Sequence, residues 1–121
     1  MARDRFTHRP LGAADPTPFA SAEEAWMWFW QCQIARDDGA RFTANAGDRV
    51  RPCEPDDIYR AAARLHRGRR LAVAHLEVLG RFGRALTPPD GRLPGQDAAA
   101  ALWREALDRL EEPLRAKGIV S

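Results

Sequence analysis
The sequence predicts an all-α protein: a single small four-helix bundle-like domain preceded by an extended N-terminal arm. Three observations carry that expectation. Four segments place apolar residues at three- and four-residue spacing, the 3.6-residue period of an amphipathic helix. Capping or breaking residues separate those segments, and no stretch alternates apolar and polar residues as a half-buried strand would. The chain of 121 residues is long enough for one core and too short for two domains. Its 45% hydrophobic and 30% charged residues are the composition of a folded globular chain and not of a disordered one.

The elements follow in order. Residues 1–20 hold Pro10, Pro16 and Pro18 and little periodicity, so they read as an extended, poorly ordered arm whose Phe19 docks ahead of the first helix. The domain proper is 21–121. Ser21 and Glu24 form a capping box that opens a helix over about 22–38, and Gly39 ends it. Residues 40–53 are loop, with a turn signal at 45–48 and room for a brief extended piece near Val50. Pro55 at the first helical position, with Asp56 and Asp57 complementing the dipole, opens a second helix over about 55–67. Ile58, Ala61, Ala62 and Leu65 face its core side.

Gly68 marks a turn, with a kinked continuation as the alternative, into a third helix over about 69–83 with Leu71, Ala72, His75, Leu76, Val78, Leu79 and Phe82 inward. Thr87, Pro88, Pro89, Asp90 and Gly91 exclude helix. The fourth helix covers about 96–112 with Ala99, Leu102, Trp103, Ala106 and Leu110 as its inner stripe, extended by Leu114, and Pro113 is expected to break or kink it.

Charge is distributed unevenly. Eighteen of the 19 basic residues are Arg, in keeping with a GC-rich coding sequence. Residues 60–84 hold seven Arg and a single acid, Glu77, whereas residues 36–57 hold four Arg against six acids. Arg60, Arg64 and Arg67 are four and three apart and share one helix face. Arg69, Arg70, Arg81 and Arg84 frame the third helix. Such a stripe suits contact with DNA or RNA phosphates. A solvated face paired with Asp37, Asp38, Asp56 or Asp57 is the simpler account, and an acidic protein partner is a third. The windows around Gly68 and Gly80 do not fit a helix-turn-helix, because Arg64 and Leu76 stand where that motif needs a small residue.

Trp26, Trp28, Phe29 and Trp30 crowd one helix. Helical geometry puts Trp28, Phe29 and Cys32 on one face, with Trp26 and Trp30 to the side. A central, buried helix explains most of this cluster. The alternative leaves Trp26 or Trp30 exposed as the anchor for a protein partner or for a second copy in a homodimer.

Catalytic patterns fail on spacing. Cys32, Cys53, His66 and His75 do not pair at structural-zinc distances, so no metal or other cofactor is expected. Cys53 precedes a helix N-terminus, yet Glu54, Asp56 and Asp57 disfavour its thiolate. The acid pairs Glu23/Glu24 and Asp56/Asp57 serve first turns. Asp37/Asp38 and Glu111/Glu112 oppose their helix dipoles and call for offsetting cations such as Arg41 and Arg115. There is no phosphate-binding glycine loop and no nucleophile elbow, and the sequence reads as no enzyme. The absence of an apolar signal or membrane-length run, with only two cysteines, predicts a cytoplasmic protein that does not meet the membrane.

The stretches Trp26-Met27-Trp28-Phe29-Trp30, Arg51-Pro52-Cys53-Glu54-Pro55-Asp56-Asp57-Ile58 and Leu102-Trp103-Arg104-Glu105-Ala106-Leu107-Asp108-Arg109-Leu110 resemble short helical bacterial proteins of this length. That resemblance covers most of the chain beyond residue 20 and implies no activity and no site. Two functional expectations remain. The first is a small regulatory protein that contacts nucleic acid through its arginines; the second is an interaction module or adaptor anchored by a first-helix tryptophan.

Overall fold
The computed structural model describes residues 15–39 and 49–121. Among them are four helices, α1 (Ala22–Asp37), α2 (Pro55–Arg67), α3 (Val73–Arg84) and α4 (Asp97–Ala116), and no strand beyond one isolated bridge. The protein is an all-α, bundle-like domain. The arm at 1–14 and the turn at 45–48 lie outside the described residues.

Local chemistry explains most boundaries. Ser21 Oγ accepts the Glu24 amide at 3.1 Å, and the Glu24 carboxylate reaches back one residue further than expected, to the Ala20 amide at 2.7 Å. Gly39 leaves α1 at φ +81°, a conformation that a Cβ would disfavour. The second helix keeps its predicted bounds, with Pro55 at its start and the Asp57 carboxylate accepting the Glu54 amide at 2.9 Å.

Two boundaries need correction. The third helix starts at Val73 and not at 69, because Arg69 takes a left-handed φ of 63° and residues 68–72 form a turn. Leu71 is buried in that turn, while Ala72 is exposed and only flanks the helix. The fourth helix runs through Pro113 to Ala116. Leu114, just beyond the proline, is fully buried, and its carbonyl receives the amides of Ile119 at 2.9 Å and Val120 at 3.2 Å. Burying Leu114, Ile119 and Val120 offsets the single hydrogen bond that proline removes near a helix end.

Helices α1 and α4 each pack against the other three. The residues just before α1 and those after α4 are knitted together. Phe19 is fully buried and forms a parallel bridge with Val120, its amide donating to the Ile119 carbonyl at 2.8 Å. Arg51 fastens this corner by lying 4.1 Å from the Phe19 ring centroid and donating to the Thr17 carbonyl. In contrast, α2 and α3 barely touch each other although both sit on α1. The space between them becomes a cleft.

Candidate functional site
The floor of that cleft is aromatic. Trp26, Phe29 and Trp30 of α1 line it, with Tyr59 of α2 stacked on Phe29 at 6.0 Å between ring centroids. Trp26 and Trp30 flank Phe29 at 5.2 and 5.5 Å. The walls carry the small residues Ala62, Ala63 and Gly80, which leave a volume of about 350 Å³.

Trp26 is not an exposed anchor. It is 4% exposed, and its indole N–H donates to the Leu79 carbonyl of α3 at 2.9 Å. Gly83 makes this approach possible. A Cβ at that position would run into Cδ1 and Nε1 of Trp30 and would lie 2.9 Å from Trp26 Nε1. The buried face of α1 is therefore centred between Trp26 and Phe29, and Trp28 is displaced to its edge, 5.2 Å from Phe19. Trp30 is half-buried; the Arg84 guanidinium lies 5.3 Å from its ring. Its Nε1 is turned toward Gly83 and has no hydrogen-bond partner among the described residues.

The predicted arginines are all exposed, and they divide into groups. Arg60 pairs with Asp56 at 3.0 Å, and Arg70 approaches Glu112 at 3.8 Å. Arg64, Arg67 and Arg69 have no carboxylate partner among the described residues. These five cluster along the outer face of α2 and the turn after it. Arg67 also stands at the rim of the aromatic cleft, beside His66. Arg81 belongs elsewhere: it stacks near Phe82 at 5.0 Å and borders a second groove between α3 and α4.

That second groove, of about 1340 Å³, is lined by both signs of charge. Three of its carboxylates are committed within the chain. The Trp103 indole donates to Glu23 at 3.0 Å, Glu111 caps the Ala22 amide and pairs with Arg115, and Arg92 holds the Asp90 carboxyl below its usual range. The Glu111–Arg115 pair is the offset the sequence calls for at the end of α4, while Arg41 lies outside the described residues.

The histidines have structural tasks. His75 is 6% exposed. Its Nδ1 accepts the Ala72 amide at 3.0 Å, so its Nε2 carries the proton and donates to Glu105 at 2.8 Å. It thus caps the start of α3, where Ala72 offers no side-chain acceptor. The Glu105 carboxyl is held below its ordinary value by that hydrogen bond, with Arg109 helping. His66 Nδ1 donates to the Leu71 carbonyl at 2.9 Å and closes the turn.

Neither cysteine is primed for chemistry. Burial pushes the Cys53 thiol up to about 12, with Asp57 and Glu54 adding to the effect, and it pushes Cys32 up to about 11. Among the described residues, no three His, Cys, Asp or Glu side chains gather as metal ligands, and no helix is long and apolar enough to cross a membrane.

No protein-family model, curated protein or solved structure matches the chain. Sequence reasoning missed the cleft. Its one local signal was the small residues Ala62, Ala63 and Gly80 facing an aromatic helix.

Proposed function
We propose that this is a small cytoplasmic, non-enzymatic regulatory protein that contacts nucleic-acid phosphates through Arg60, Arg64, Arg67, Arg69 and Arg70. The observation that supports this reading is the exposure of Arg64, Arg67 and Arg69 on one corner with no carboxylate neutralising them among the described residues. A surface that leaves several guanidinium groups uncommitted can displace condensed counterions from a polyanion. Tyr59, 52% exposed on the same helix, adds a ring on which an unpaired base can stack. Arg81 stands apart from this cluster.

The test is fluorescence anisotropy of labelled duplex DNA and single-stranded RNA across a salt series. The expected result is binding that weakens steeply with salt. The triple variant Arg64→Gln/Arg67→Gln/Arg69→Gln should flatten the log–log salt slope by about 0.9 for each duplex phosphate it no longer neutralises. No binding at low salt, or an unchanged slope in the variant, would exclude the reading.

The second reading, an interaction module or homodimer, loses Trp26 to the core and keeps Trp30. The half-buried Trp30 ring, overlain by Arg84, is what remains of it. Loss of self-association on Trp30→Ala, with the helical content intact, would favour that reading.

A further inference from the structure
The aromatic cleft has a chemistry distinct from the arginine face. Its interior is hydrocarbon and π-surface, because the polar atoms of its aromatic floor are turned away. The Trp26 indole N–H is spent on the Leu79 carbonyl, and that of Trp30 faces Gly83. A sugar, a nucleobase or a peptide backbone would leave its own donors and acceptors unpaired there, which is costly. An apolar body would lose nothing. Rings on the floor and at the Tyr59 edge favour an aromatic one, through offset and edge-to-face contacts.

The mouth is cationic. Of the lining side chains, Arg67 alone carries a permanent charge, and it has no carboxylate partner among the described residues. Beside it, His66 keeps its Nδ1–H on the Leu71 carbonyl. A volume of about 350 Å³ lies within the range of small-molecule sites.

We propose that the α1–α2–α3 cleft binds a small aromatic monocarboxylate, its ring against Phe29 and Trp30 and its carboxylate on Arg67. Arg67 is shared with the proposed phosphate-contacting face, and the test of this site needs no nucleic acid.

The test uses 2-naphthoate and its neutral counterpart 2-naphthamide, followed by calorimetry and by the tryptophan indole N–H resonances. The expected result is saturable naphthoate binding that shifts the Trp26 and Trp30 indole signals. Arg67→Gln should weaken naphthoate about tenfold, the value of one charge-assisted pair, and leave naphthamide unchanged. Gly80→Leu supplies a second variant, its helical content checked by circular dichroism. A Cβ on Gly80 meets no atom within 4 Å, and replacing a helical glycine raises helix propensity. Its side chain should fill the cleft and abolish binding of both compounds without lowering thermal stability. The proposal is overturned if naphthoate gives no saturable shift at millimolar concentration, or if the shifts fall on other residues. It is equally overturned if either variant binds naphthoate as the natural chain does.

Discussion

The α3–α4 groove and the α1–α2–α3 cleft differ in size and in commitment. The groove is the larger, about 1340 Å³ against about 350 Å³. Yet Glu23, Asp90 and Glu111 in the groove each already hold a donor of the same chain. The cleft has an aromatic floor and one guanidinium without a carboxylate partner among the described residues. A polar group that is already hydrogen-bonded contributes to stability, whereas an exposed and unpaired one is free to meet a ligand.

The largest effect should come from the residue shared by the cleft floor and the core. Trp26→Ala removes a buried ring and leaves the Leu79 carbonyl without its indole donor, so a loss of about 3–5 kcal/mol is expected in chemical denaturation. A loss below about 1 kcal/mol, the range of surface substitutions, would return Trp26 to the surface and undo the distinction between the two tryptophans.

Next is Gly83→Ala, where one methyl must force two indoles from the α1–α3 contact. Overpacking of this kind costs about 1–3 kcal/mol, and the wavelength of tryptophan emission should shift with it. Gly80→Ala, three residues earlier on open space, should instead stabilise by about 0.4–1 kcal/mol. Equal effects at the two glycines would contradict the close approach.

A smaller effect separates the capping histidine from the exposed pairs. The Glu105 carboxyl titrates below its ordinary 4.5 in the folded protein. Its contribution is therefore fully present above that ordinary value and is lost as the pH falls through the lower, folded one. Denaturation midpoints of the natural chain and of Glu105→Gln should differ near neutral pH and converge in acid, below the ordinary carboxylate range. A constant difference would mean that the Glu105 charge has no part in holding His75. The smallest effect is expected beside the groove: Arg92→Ala, which removes the solvent-exposed arginine of the Asp90 ion pair, should leave the thermal midpoint unchanged.

These contrasts also separate what was legible in the sequence. The ends of α1 and α2 were, because Ser21, Gly39 and Pro55 act within about one helical turn of their own position. The inward set Ile58, Ala61, Ala62 and Leu65 was also legible, since a 13-residue helix with one apolar stripe has only one way to face a core. The exposure of Arg60, Arg64 and Arg67 followed as the opposite face of that stripe.

The start of α3 was not legible. Its capping acceptor is a histidine three residues beyond Ala72, held there by Glu105 from α4, 30 residues away. Nor could local rules place the helix end past Pro113, which depends on Leu114 meeting the C-terminal Ile119 and Val120. The sequence by itself determined the four helices of the described residues, roughly where they lie and which of their arginines face water, because those follow from capping and periodicity along a single helix. Tertiary structure alone decided that Trp26 is core and Trp30 is rim, that Gly83 must lack a side chain, and that α2 and α3 part over α1 to leave an aromatic cleft. The physical reason is that the rotation of an aromatic helix about its own axis is set by its neighbours. In α1, with bulky rings on several sides, that rotation is fixed by the Leu79 carbonyl and the Gly83 gap on another helix.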